Sequence, residues 1–294
     1  MQAALESWRE AAGLSAAQAE FEAFGKGALL EECPTLEAIF TGQGQAEALI
    51  AALVSHFCAA IAANPLGHPP YRNGFDGCAA TLLLARSGRA QLMLQSREPG
   101  AFDFTCATYS DALRYDATLA GRANATILRV HGPHEQVRFS SEQIVLQPGV
   151  RLSFDCNSEA LLADSVETRL VTLRLVQLAD TPQPGREYCR QTGRLLHQSA
   201  GTLATSRREM MAALLGRMGR TEAAPVLAQM ALNENDQSLR WQALRECLVL
   251  DTAKGFSALS AIAAHSNDPL FDPATQLRAQ LLEAHPQLAQ LECA

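Results

Sequence analysis

The chain has 294 residues, 48% of them hydrophobic and 19% charged, the composition of a folded protein with room for two or three domains. Its formal charge is −7, of which residues 1–64 carry −6 (eight acids, two bases), and no basic stripe occurs anywhere. That balance disfavours nucleic acid as a partner, and no low-complexity tract, long linker or block of like charges points to disorder.

The first segment, 1–64, reads as acidic and helical. Leu5, Trp8 and Ala12 recur at helical spacing. Ser15 can cap a helix running through Phe21 and Phe24, with Gly25 and Gly27 ending it. Pro34 opens a short helix. A longer one follows Gly42-Gln43-Gly44, with Leu49, Ile50, Leu53, Phe57 and Ile61 on one face, and Asn64-Pro65 stops it. Its run from Ala46 to Ala63 is interrupted by Glu47, Ser55, His56 and Cys58, so it is expected to be too polar to span a bilayer. The N-terminus lacks a charged region followed by an apolar one, and a cytoplasmic protein without a membrane partner is expected. Gly42-x-Gly44 lacks the lysine and the preceding strand of a phosphate loop.

The stretch 65–178 changes period from helix to strand. Its opening connector gathers His68, Tyr71, Arg72, Asn73, Phe75 and Asp76 within nine residues. This polar and aromatic cluster is the candidate ligand-binding segment; the alternative is a linker pinned by its aromatic side chains. Leu82–Leu84 and Leu92–Leu94 then flank a hairpin turn at 86–89. Further turns are expected at Ala120-Gly121-Arg122, Ser140-Ser141-Glu142, Pro148-Gly149 and Asn157-Ser158. Eight to ten short strands without helical crossovers predict an antiparallel sandwich or barrel. Residues 179–200 form a connector with one possible hairpin around Gln191-Thr192-Gly193.

From 201 to 294 the period is helical and recurs. Residues 224–236 align with 256–268 at a shift of 32, matching Leu227 with Leu259, Met230 with Ile262 and Ala231 with Ala263. The same shift places Arg208 on Arg240. Residues 204–285 thus resemble HEAT-like repeats, which implies about two and a half stacked helix pairs, an α-solenoid. Such a stack either offers a face to a protein partner or braces the β domain. Trp241 is expected in its core, and His197, Arg207 and Arg208 near the junction with the β domain.

Residues 78–177, with their many short strands and the Pro148-Gly149 turn, resemble cupins. That resemblance implies a small barrel with metal held on two motifs, but neither motif's histidines occur here. His131, His134 and Glu135 are the remaining metal candidates, and they do not have the His-x-His spacing that puts two ligands on one strand face. No cofactor is predicted. The eight cysteines include no C-x-x-C pair and sit among apolar neighbours, so reduced thiols are expected. No G-x-S-x-G or H-E-x-x-H occurs, and no catalytic residue is assigned.

The expected architecture is therefore an α+β multidomain chain with N-terminal helices, an antiparallel cupin-like β domain and a HEAT-like tail. Its expected role is non-enzymatic binding or regulation of a protein or small molecule. The alternative is a cupin-like enzyme or small-ligand sensor with its site inside the β domain. Oligomeric state is not legible in the sequence.

Overall fold

The structure is a computed structural model that describes residues 14–66 and 72–292. The expected helix over Leu5, Trp8 and Ala12 lies outside the described residues, as do His68 and Tyr71. The chain is an α+β protein that divides into two compact units, Met1–Gln198 and Ser199–Ala294.

The first unit begins with α1 (Leu14–Lys26), a 3-10 turn (Leu30–Glu32), α2 (Pro34–Thr41) and α3 (Gln45–Ala63). Pro34 sits in the first turn of α2, where its missing N–H costs nothing. Glu20 of α1 caps that helix: its carboxylate accepts from the N–H groups of Thr35 (2.8 Å) and Leu36 (3.0 Å) and from the Thr35 hydroxyl (2.8 Å). Over 19 residues α3 is apolar enough to cross a membrane by length and composition, contrary to the expectation from its interrupting polar residues. In the fold its first half instead docks through Ala46, Ile50 and Leu53.

Eleven strands follow among the described residues: β1 (Arg72–Phe75), β2 (Ala79–Ser87), β3 (Ala90–Arg97), β4 (Gly100–Ala101), β5 (Cys106–Tyr109), β6 (Ala112–His131), β7 (Arg138–Leu146), β8 (Arg151–Asp155), β9 (Glu159–Leu178), β10 (Gly185–Cys189) and β11 (Leu195–Ser199). They make two sheets. An eight-stranded one runs β1-β2-β3-β9-β6-β7, with β4 added on β9 and β8 on β6; a three-stranded one runs β11-β10-β5. The recorded pairings are antiparallel, as the absence of crossover helices predicts. Residues 179–200 supply β10 and β11 to the smaller sheet.

Two predicted turns are not turns. Ala120-Gly121-Arg122 lies inside β6, a single strand of 20 residues, and Ser140-Ser141-Glu142 lies inside β7. Gly121, at φ +89°, serves a β-bulge where the β6–β9 register slips, and a Cβ there would collide with the Arg169 carbonyl. A lone glycine in a strand pattern and a turn glycine look alike until pairing is known. Ser140-Ser141-Glu142 stays extended because each residue pairs with β6, through Arg129, Leu128 and Ile127.

One face of the large sheet carries Leu92, Leu94, Tyr115, Ala117, Leu173 and Leu175 against α1, α2 and α3. Burial alternates along β9 for that reason, with Leu173 and Leu175 fully covered. Gly25, expected to end α1, lies within it. A side chain there would strike the backbone of Ser87, so glycine lets the helix touch the β2–β3 turn, where the Arg89 N–H donates to the Gly25 carbonyl at 2.9 Å. A second core joins Leu128, Ala160 and Leu162 to Ala107, Tyr109 and Tyr188 of the small sheet.

The second unit contains α4 (Leu203–Arg217), α5 (Ala224–Asn233), α6 (Gln237–Leu250), α7 (Thr252–Ala263) and α8 (Phe271–Ala284), closed by a 3-10 segment at Pro286–Glu292. Leu227, Leu244, Phe256, Leu259 and Ile262 form its core, with Trp241 partly buried beside them. Asp236 and Asp251 cap α6 and α7, accepting from the N–H groups of Leu239 (2.9 Å) and Lys254 (3.0 Å). Arg240, buried, donates to the Ala231 carbonyl at 2.8 Å and grips both carboxylate oxygens of Asp268 (3.0 and 2.6 Å). Arg208, its counterpart at the 32-residue shift, pairs with Glu234.

Candidate functional site

Side chains of two strands, Gln177 and Arg151, tie the helical layer to the sheet, and Glu20 ties two of its helices to each other. Gln177 of β9, buried, donates from Nε2 to the carbonyls of Phe24 (2.6 Å) and Ala28 (3.0 Å), taking up the C-terminal end of α1. Glu20 caps α2, as above. Arg151 of β8 reaches Glu47 through two hydrogen bonds (2.9 and 2.7 Å) and the Gly42 carbonyl at 3.2 Å. Burial opposes ionisation of Glu47, but the Arg151 guanidinium outweighs it and holds the carboxyl below its ordinary value. Glu20 and Glu47 of the acidic lead are thus committed to the fold, and the Gly42-x-Gly44 loop is an anchor for Arg151.

Between the tethers the helices stand off the β2–β3 hairpin and leave a cavity of about 230 Å³. Phe21, Leu36, Ile39, Phe40, Leu49 and Leu92 make its apolar wall. Gln18, Glu22, Arg86 and Ser87 add polar groups to the lining. An apolar recess with a few polar groups is the usual form of a small-molecule site. A second cavity of about 390 Å³ is more polar, with Glu31, Glu37, Tyr115 and Arg151 in its lining. Arg151 is already engaged by Glu47 there, so the first cavity is the candidate site.

The opposite face of the same strands carries a buried ion network. Asp116, 3% exposed, accepts from Arg114 Nε (3.0 Å to each oxygen) and from Arg174 Nε and Nη2 (2.8 and 3.0 Å). Arg114 also stacks over the Phe154 ring, 5.0 Å from its centroid. Burial pushes the Asp116 carboxyl up, but the two guanidiniums dominate and keep it well below the usual carboxylate range. With all three groups engaged, the network fixes strand register and has no free acid or base to offer a substrate.

Those sequence-predicted residues that are among the described ones lie elsewhere. Arg72 and Asn73 belong to β1, paired with Leu83 and Leu82 of β2. Asp76 closes the β1–β2 turn, its Oδ1 accepting from the N–H groups of Cys78 (3.1 Å) and Ala79 (2.7 Å), and Phe75 is 72% exposed. His131 meets the Ser140 hydroxyl at 2.9 Å, while His134 contacts Arg186. Among the described residues no group of three His, Cys, Asp or Glu side chains is placed to hold a metal ion. The cavity has little signal in the sequence because its wall is made of residues that read as ordinary core; Gly25 inside α1 and Gly27 just after it mark the place.

No family model matches this chain, and no curated protein matches it in sequence. Among solved structures it is similar to cupin-fold proteins. The 7S globulin of Momordica charantia is 14% identical, with a TM-score of 0.30, over 40% of this chain and 35% of that one. The CENP-C cupin domain of Drosophila melanogaster is 11% identical, with a TM-score of 0.29, over 36% of this chain and 74% of the domain. A cupin superfamily protein of Desulfitobacterium hafniense is 19% identical, with a TM-score of 0.26, over 36% of this chain and 83% of that one. The chain thus spans about a third of the globulin's length, and each likeness concerns the fold of one stretch, without bearing on activity.

Proposed function

We propose that this chain is a non-enzymatic binding protein whose first unit takes a small, largely apolar ligand between its helices and the β2–β3 hairpin. The observation that carries this is the cavity of about 230 Å³ with an apolar wall and polar groups at Gln18, Glu22 and Arg86. The cupin resemblance enters as the frame, with the ligand seated under the added helices. The second unit is a HEAT-like stack that serves a protein partner. Its 32-residue recurrence, in which Arg208 and Arg240 take equivalent places and each pairs with an acid, supports that, as does the outward face of α4, where Leu203, Met210, Met211 and Leu214 are each more than half exposed.

The test fills the cavity. An apolar fluorophore such as 1-anilinonaphthalene-8-sulfonate is titrated into the full chain and into Ala85→Phe, with folding checked by circular dichroism. Saturable binding in the parent and its loss in the folded variant is the expected result. Equal binding by both places the fluorophore elsewhere and removes the cavity as the site.

A further inference from the structure

Cys106 ends up opposite Cys189, although 82 residues separate them in the chain. They are Cα partners across the antiparallel β5–β10 pair. The next rung, Thr105 with Arg190, carries a hydrogen bond from the Arg190 N–H to the Thr105 carbonyl (3.0 Å), and the Cys189 N–H turns the other way, to the Arg194 carbonyl (3.0 Å). The cysteine rung is therefore a non-hydrogen-bonded one, in which Cα atoms approach to about 4.5 Å. That lies within the roughly 4.4–6.8 Å range of disulfides. Ala107, Tyr109 and Tyr188 fill the inner face of this sheet, so Cys106, Glu187 and Cys189 share its outer face, each half-buried. Both thiols are free.

We propose that Cys106 and Cys189 form a redox-active dithiol that reacts with a small disulfide oxidant at Cys189 and closes to a cross-strand disulfide. Their surroundings divide the roles. The Thr192 side chain and the backbone N–H groups of Thr192 and Gln191 bond the Cys189 sulfur and lower its pKa, which favours the nucleophilic thiolate. Cys106 is shifted upward, first by its hydrogen bond to Glu187 and then by burial, so it stays a thiol. In the first step the Cys189 thiolate attacks one sulfur of the oxidant; the S–S bond breaks, and a thiolate leaves and takes a proton from solvent. In the second, Cys106 passes its proton to Glu187 and attacks the Cys189 sulfur. The second thiolate leaves and takes that proton. The dithiol loses two electrons, and the oxidant becomes two thiols.

The experiment exposes the full chain to graded ratios of glutathione disulfide to glutathione, alkylates the remaining thiols and maps peptides by mass. A link between Cys106 and Cys189, reversed by dithiothreitol, is the expected product. Cys106→Ser stops at a glutathione adduct on Cys189, and Cys189→Ser gives neither product at Cys106. Thr192→Val slows alkylation of Cys189 severalfold at neutral pH, with folding verified by circular dichroism. Absence of the 106–189 link in the parent protein at every ratio overturns the proposal. So does first modification at Cys58 or Cys78, or a Thr192→Val rate equal to the parent's.

Discussion

Both units pair an aspartate with arginine, and they do so over different reaches of chain. In the sheet, Asp116 is shared by Arg114, two residues away on its own strand, and Arg174, 58 residues away on β9. In the helical unit, Arg240 and Asp268 are 28 residues apart, and the pair ties the start of α6 to the turn after α7. The first network has two cations for one anion, with the Asp116 side chain only 3% exposed; in the second, the Asp268 side chain keeps 18% exposure. A buried charge left without its partner is costly, more so the deeper it lies. The sheet therefore depends on its aspartate more heavily than the helices depend on theirs.

Removing each partner tests that ranking. Asp116→Asn leaves two half-buried guanidiniums without their carboxylate and is expected to destabilise the first unit by about 3 kcal/mol, read from urea denaturation. Acid should act through the same groups. The folded carboxyls of Asp116 and Asp268 lie below their ordinary value, so their stabilisation is complete above about pH 4 and is lost as pH falls through the depressed range. The parent's melting temperature should drop between pH 7 and pH 3, and Asp116→Asn should show a smaller drop. Asp268→Asn is expected to cost about 1.5–3 kcal/mol, the range for a hydrogen bond to a charged group. A cost above that of Asp116→Asn would reverse the comparison.

Gly121→Ala probes the register of the long strands. Its left-handed backbone and the close Arg169 carbonyl predict a loss of roughly 1–2 kcal/mol, measured in the same denaturation. His131→Ala, on an exposed strand end, should change stability by no more than about 0.5 kcal/mol. It should also leave fluorophore binding at the helix–sheet cavity unchanged.

The helices were the most legible elements. Pro34, Gly44 and Asn64 mark α2 and α3, and the matched residues 224–236 and 256–268 mark the recurrence in the second unit, because capping and helical periodicity are local. The β2–β3 hairpin was equally plain. The long strands were not: Gly121 reads as a turn when only its neighbours in sequence are considered. The candidate ligand and metal residues stand out in the sequence by their chemistry, and the cavity's apolar wall has none to announce it.

The sequence alone determined where the chain is helical, where it alternates as strand, and that the two regimes meet near residue 200. Those properties depend on residues a few positions apart. Tertiary structure decided which charges are spent on the fold, as with Glu20, Glu47 and Asp116, and where helices stand away from the sheet to leave a cavity. It also set Cys106 against Cys189. Strand pairing joins residues far apart in sequence, so no spacing rule along one chain can report it.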